Sequence, residues 1–235
     1  MNSGIMSDER LERTKKLIGD DAIKRLRNAN VAIFGIGGVG SYVCEAIARS
    51  GVGRITLIDG DVVDISNINR QLVALTSTIG KNKAEVMAER IRDINPDAEV
   101  KSIAGFYKPG ACFDFSAYDY VVDAIDDVNA KVDIIKSCYN SNVKVISAMG
   151  TGNKLTCDKF KVTDLAKTHT DPLARVMRKR LREEGIENVK VVFSEEKPLQ
   201  VEGVLGTMSY VPGAEGLIIA SEVIRELAGL LHKIV

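Results

Sequence analysis

The chain has 235 residues, 45% of them apolar and 27% charged. That is the balance of an ordinary globular domain and excludes a disordered, collagenous or coiled-coil chain. Lys+Arg and Asp+Glu both number 32, so the net charge is zero, which excludes a globally basic nucleic-acid binder but not a local basic patch.

Taken from the N-terminus, Met1–Arg10 has no apolar h-region, so no signal peptide is expected. Residues 9–27 are charged, with apolar positions at Leu11, Leu17, Ile18, Ile23 and Leu26, and predict one or two short helices. Val31–Phe34 is a short apolar run ending in glycines and predicts a buried strand. Ser41–Ser50 predicts a helix and Gly53–Asp59 the second strand. Ala84, Met87, Ile91 and Ile94 recur at helical spacing until Asn95-Pro96 stops them. Tyr120–Ile125 reads as a strand, 129–140 as a helix and Val143–Ser147 as a strand. After Gly150 the rhythm changes. Phe160–Thr163, Val189–Phe193 and Val201–Leu205 predict strands, Pro172–Glu184 a helix, and Gly213–Leu231 a closing helix. Alternating strand and helix imply an α/β fold: a Rossmann-like, mostly parallel sheet with helices on both faces, extended by a C-terminal strand/helix region.

Cys44, Cys112, Cys138 and Cys157 form no CxxC pair and no zinc cluster, so they read as free thiols of a reducing cytosol. The apolar run Gly216–Ala220 is followed by Glu222, Arg225 and Glu226, too short and too charged to span a bilayer. The expected compartment is the cytoplasm, with the tail helix as a candidate peripheral membrane contact.

The sharpest motif is Gly35-Ile-Gly37-Gly38-Val-Gly40, placed after the first strand and opening a helix. Glycines let the backbone approach a phosphate, and the helix N-terminus offers free N–H groups and a positive dipole end. Asp59 closes the second strand, where a carboxylate meets ribose hydroxyls. On these features alone a nicotinamide dehydrogenase would lead. The next segment argues against it: Asn67-Ile-Asn-Arg70-Gln71 and Lys83 place two cations beside the phosphate loop. A hydride-transfer site has no use for them. An adenylating site does, because charge grows on the phosphoryl oxygens and on pyrophosphate as a carboxylate attacks the α-phosphate. Asp123 and Asp126, at the end of the Tyr120 strand, stand where open parallel sheets bind ligands, and a carboxylate there can hold Mg²⁺.

Arg10-Leu-Glu-Arg13, the glycine loop, Leu57-Ile-Asp59-Gly-Asp61, Asn67–Gln71, Gly80-Lys-Asn-Lys83 and Asp123-Ala-Ile-Asp126 together resemble the adenylating, ubiquitin-activating-enzyme-like (ThiF/MoeB-like) superfamily. The resemblance implies one adenylating domain over 1–235, with 1–150 the ATP-binding half and 151–235 the substrate and dimer half. It implies ATP on Gly35, Gly37, Gly38, Gly40, Asp59, Asn67, Arg70, Gln71 and Lys83, with Mg²⁺ on Asp126. Arg70, Lys83 and Asp126 would be catalytic. So would Arg13, as an arginine finger reaching the ATP of the other subunit of a homodimer.

Val162–Lys167, Asp171-Pro-Leu, Arg178–Arg182, Phe193-Ser-Glu and Val211–Ala220 are similar to the branch acting on threonylcarbamoyladenosine in tRNA as a dehydratase. The resemblance then implies adenylation of the threonyl carboxylate, followed by attack of the neighbouring carbamoyl group and departure of AMP. No protein nucleophile is needed when the attacking group is on the same molecule. The alternative is an adenylating activator of a ubiquitin-like sulfur-carrier protein. Such activators usually carry two CxxC pairs and a transfer cysteine; here Cys157 is the only cysteine after residue 150. K⁺ or Na⁺ and a cysteine-desulfurase/sulfur-acceptor system are further candidates for cofactor and partner; DNA is not. Residues 154–182 carry nine Lys/Arg against three Asp. Lys167, Arg175, Arg178, Lys179 and Arg182 are the candidate tRNA contacts. His169, in the same stretch, is a loop histidine to which no catalytic role is assigned. Tyr118 and Tyr120 are considered for base stacking, with Tyr120 the more core-like.

Overall fold

A computed structural model describes residues 9–230; Leu231 and His232, like the first eight residues, lie outside them. Two short helices, α1 (Glu12–Ile18) and α2 (Asp20–Asn28), lead into β1 (Asn30–Phe34), α3 (Gly40–Arg49) and β2 (Arg54–Ile58). Then come α4 (Lys83–Ile94), β3 (Glu99–Ile103), β4 (Tyr120–Asp123), α5 (Val128–Asn140) and β5 (Lys144–Ala148). The second half adds β6 (Phe160–Asp164), α6 (Pro172–Glu183), β7 (Lys190–Ser194) and α7 (Tyr210–Leu227).

The seven strands form one sheet in the order β3-β2-β1-β4-β5-β7-β6. All neighbours are parallel except β6, which runs antiparallel to β7. β1 is fully apolar beyond its first residue because both faces are covered. Val31 and Ile33 join the core beneath α3, α4 and α7. Ala32 and Phe34 join the opposite core, where Phe34 meets the rings of Phe113, Phe115 and Tyr107 at 5.1, 5.8 and 5.2 Å. From β1 the chain winds outward to β2 and β3, then returns to β4 on the other side. That reversal opens a crevice at the C-terminal ends of β1 and β4.

Two expectations change. β3 went unread because it is an edge strand with Glu99 and Lys101 in it, a composition that suits an unpaired edge and hides the alternation. Val201–Leu205 is not a strand: it is an irregular exposed segment broken at Gly203, whose φ is +82°, while both edges of β7 are already taken by β5 and β6. Among the described residues no helix is long and apolar enough to cross a membrane.

Candidate functional site

A cleft of about 810 Å³ lies over the C-terminal ends of β1, β2, β4 and β5. Its near wall is the glycine loop. Gly35 has φ +86°, and a Cβ there would stand 2.6 Å from the Ala124 carbonyl oxygen of the neighbouring strand's exit. A Cβ on Gly40 would fall 1.8 Å from the Gly35 carbonyl oxygen. Gly40 therefore sits behind the loop and lets α3 start against β1, whereas Gly35, Gly37 and Gly38 line the cleft. Helices α4, α5 and α6 have their first amides capped by Asn82, Asp127 and Asp171, but α3 has no side-chain cap. The Ser41 and Tyr42 N–H groups are taken by the Gly37 and Val39 carbonyls, so the amides left for an anion are those of the glycine loop just ahead of them.

Asp59 braces this loop. One carboxylate oxygen accepts the Ile36 N–H at 2.6 Å and the other the Asp61 N–H at 2.8 Å. Burial pushes its carboxyl above the ordinary value, and these backbone bonds and the Lys83 charge pull it back. Asn82 caps α4 through its carbonyl and donates to the Asp59 and Asp61 backbone oxygens, fixing the next residue, Lys83, at the cleft. Lys83 is only 5% exposed, and its ammonium meets Asp61 at 2.8 Å. Asn67 is buried in a capping box with Asp64. Gln71 is buried too, with its Oε1 unpartnered and its amide nitrogen 3.8 Å from the position of a Gly37 Cβ. The Arg70 guanidinium donates to the Ser66 carbonyl at 2.9 Å and to Asn69 Oδ1 at 2.8 Å.

The two aspartates after β4 separate in role. Asp123 is fully buried, accepts the Ser147 hydroxyl at 2.6 Å and pairs with the buried Lys131 at 3.0 Å. It is therefore not a candidate metal ligand. Asp126 is exposed in the cleft. Phe106, 67% exposed, also lines the cleft and covers Gly60 beside Asp59. It was missed because β3, the strand that leads to it, was missed.

The far wall comes from the second half. Lys154 is buried there against the Gly150 carbonyl and Asp171. Behind it, Glu215 is fully buried, accepting the Met149 N–H at 3.0 Å with its other oxygen unpartnered. Burial pushes the Glu215 carboxyl up to about 8. The segment after β7 is clasped to this wall by Asn153, whose N–H donates to the Gly206 carbonyl at 2.8 Å and whose Oδ1 accepts the Gly206 N–H at 2.6 Å.

Asp171 and Leu173 put the N-terminus of α6 at the cleft. Arg175, Arg178, Lys179 and Arg182 run away from it along one side of that helix and line a shallow groove of about 370 Å³. Lys167 is exposed outside that groove. The basic run is thus smaller at the surface than the sequence suggests: Lys154 is buried, and Lys161 pairs with Glu195 at 2.8 Å. His169 rests on Phe193 beside Glu195, away from the cleft lining. Tyr120 is core, donating its hydroxyl to Glu226 at 3.0 Å, and Tyr118 bonds Thr56 at 3.2 Å. Cys44 and Cys138 are buried, with their thiols pushed up by burial, Cys138 to about 12. Among the described residues no cysteine lines the cleft.

Arg13 is exposed on α1 and is not part of the cleft. The chain ahead of the helix docks through Leu11 beside Gly51, just before β2, at the N-terminal end of the strands, whereas the cleft lies at their C-terminal ends.

The ThiF family pattern matches residues 11–234. A protein of Bacillus subtilis (strain 168) named tRNA threonylcarbamoyladenosine dehydratase is 41% identical over 236 aligned residues, which cover 92% of this chain and 93% of the relative. A crystal structure of E. coli tRNA N6-threonylcarbamoyladenosine dehydratase, TcdA, in complex with ATP superimposes with a TM-score of 0.86 at 38% identity, covering 94% of this chain and 95% of that one. The same E. coli protein in complex with AMP gives a TM-score of 0.87.

Proposed function

The chain belongs to the ThiF family, and from that premise we propose the chemistry of its cleft. The protein is an ATP-dependent dehydratase that adenylates the threonyl carboxylate of threonylcarbamoyladenosine in tRNA and closes the ring with loss of AMP. The observation that carries this reading is the meeting, in one cleft, of an uncapped glycine-loop helix with Arg70, Lys83 and Asp126.

The amides of the glycine loop at the start of α3 hold the phosphates. The remaining lone pairs of Asp59 accept the ribose hydroxyls, Phe106 gives the adenine a ring to stack on, and Asn67 and Gln71 add polar contacts around the phosphate chain. Arg70 turns from its resting bonds on Ser66 and Asn69 to the phosphates. Lys83 meets the same charge from the start of α4. These groups stabilise the oxygens that gain charge as the carboxylate attacks the α-phosphate and pyrophosphate leaves. Asp126 makes no hydrogen bond or ion pair among the described residues, and a lone carboxylate facing a polyphosphate site suits Mg²⁺, which binds one or two carboxylates and fills its shell with phosphate oxygens and water. When bound, Mg²⁺ would neutralise phosphate charge.

The cleft wall from the second half faces the nucleoside, and the basic side of α6 faces tRNA phosphates. Arg13 serves a second copy of the chain, because its own cleft is at the other end of the strands. K⁺ or Na⁺ is a candidate addition, checked by activity in salts that exchange them. A desulfurase system has no thiol to meet in the cleft, so any such partner acts elsewhere; an activator of a sulfur carrier would form an acyl-adenylate on a carrier ending in Gly-Gly. The deciding experiment is mass spectrometry of tRNA nucleosides after incubation with ATP. Loss of one water from threonylcarbamoyladenosine, with pyrophosphate released only when that tRNA is present, supports the reading. ATP turnover indifferent to the tRNA overturns it.

A further inference from the structure

Lys154 is a lysine at 2% exposure that nonetheless lines the cleft. An ammonium group has three N–H donors. One donates to the Gly150 carbonyl at 2.6 Å and one to Asp171 Oδ2 at 3.1 Å; the third has no partner among the described residues. Asp171 is itself heavily engaged. It caps α6 by accepting the Ala174 N–H at 3.0 Å and also accepts the Gly150 N–H at 3.1 Å. Its charge is therefore shared among three donors rather than given wholly to Lys154. A buried cation is costly unless its donors are satisfied.

The surroundings favour an anionic visitor. Asp123 is neutralised by Lys131 at 3.0 Å. Glu215, the remaining acid of this wall, is held as the uncharged acid at neutral pH by its complete burial. No free carboxylate on this wall competes for the third N–H of Lys154.

Resting on the dehydratase reading, we propose that Lys154 recognises the threonylcarbamoyl arm of the substrate nucleoside by donating its third N–H to an oxygen of that carboxylate-bearing arm. Lys154 then has two functions in one place. It pins the β5 exit to the start of α6, and it reads the chemical group that distinguishes modified from unmodified tRNA. An unmodified adenosine brings no oxygen to it and leaves a buried donor unsatisfied, which is how a polar site rejects an analogue lacking the group.

The test compares wild type, Lys154→Met and Lys154→Arg on tRNA with and without the threonylcarbamoyl group. Binding is measured at equilibrium without ATP, product by mass spectrometry, and ATP binding by calorimetry. Wild type should prefer the modified tRNA. Lys154→Met should lose that preference and raise KM for modified tRNA by about 10- to 100-fold, the loss of a charge-assisted hydrogen bond. ATP affinity and binding of unmodified tRNA should stay within about twofold, because the phosphate contacts are untouched. Lys154→Arg should keep part of the preference. The proposal is overturned if Lys154→Met retains the preference, or if ATP and both tRNAs weaken together, the mark of a merely structural pin. Should Lys154→Met not fold, Lys154→Gln replaces it and is judged by the same two outcomes. Failure of the dehydratase reading looks different: wild type then forms no product, while the binding comparison still decides on Lys154.

Discussion

The two walls of the cleft are made of different materials. The wall from the first half is backbone: glycines pressed against neighbouring carbonyls, a helix start without a cap, and cations brought in on short turns. The wall from the second half is side chains: Lys154 paired with Asp171, and the buried Glu215, brought together from three segments. At Gly35 and Gly40 the backbone wall tolerates no side chain, because atoms would overlap. A side-chain wall tolerates substitution sterically but depends on its charge balance. The difference suits the two ligands, since phosphates are met by amides and point cations, while a nucleoside arm must be told apart from its absence.

The strongest way to break the backbone wall is Gly40→Ala. The added Cβ would overlap the Gly35 carbonyl at 1.8 Å, so α3 must move off β1 and its amides leave the phosphate position. We expect ATP binding to vanish in calorimetry. Retained wild-type affinity would mean that the loop does not hold the nucleotide. Next in size are Arg70→Ala and Lys83→Ala, each expected to lower kcat by about 10²–10³, the usual effect of removing one group that meets developing charge. Their ATP affinity should change far less, which single-turnover and binding measurements separate. If Arg13 serves the partner's site, equal mixing of Arg13→Ala with Arg70→Ala should restore about a quarter of wild-type activity, as half the dimers are mixed and each has one intact site. No recovery would place Arg13 outside the mechanism.

A smaller effect sharpens the other wall. Arg175→Ala and Lys179→Ala together should weaken tRNA binding at every sequence and reduce the slope of log affinity against log salt by about 1 per phosphate contact removed. An unchanged slope would leave the α6 groove as an ordinary solvated surface.

This contrast also decides what the sequence reveals. Gly35–Gly40, Asp59, Arg70, Lys83 and Asp126 were legible because the backbone wall forces residue types at fixed spacing along one stretch of chain. Arg13 and Gly40 were legible as motif members, yet neither lines the cleft: one sits exposed on α1 and the other packs a helix on a strand. Phe106 was hidden behind β3, whose charged edge masks the strand. Lys154 was visible only as one of nine basic residues, and nothing in a one-dimensional charge count separates a buried ammonium from a solvated one. Val201–Leu205 shows the converse: β-branched residues make a strand only where the chain lies against a core and pairs with a neighbour, and this stretch is exposed throughout.

The balance of the side-chain wall has a pH signature that resides in Glu215. Its carboxyl titrates near the ordinary 4.5 when unfolded and at about 8 in the folded protein, chiefly through burial and against the pull of Lys131 and Lys154. Between those values the folded state holds a proton that the unfolded state has released. Stability from this group is therefore full below about pH 4.5, declines as pH rises, and is gone above about pH 8, with a slope of at most about 1.4 kcal/mol per pH unit. Glu215→Gln keeps the shape and the acceptor for the Met149 N–H but cannot ionise. The variant should match wild type in thermal midpoint below about pH 4.5, exceed it by a margin that grows from pH 5 to about pH 8, and keep that margin unchanged at pH 9. A gap that stays constant with pH would mean that Glu215 is already ionised, with Lys154 and Lys131 as its counter-charges. The wall would then carry a standing negative charge, and an incoming carboxylate would be repelled rather than received.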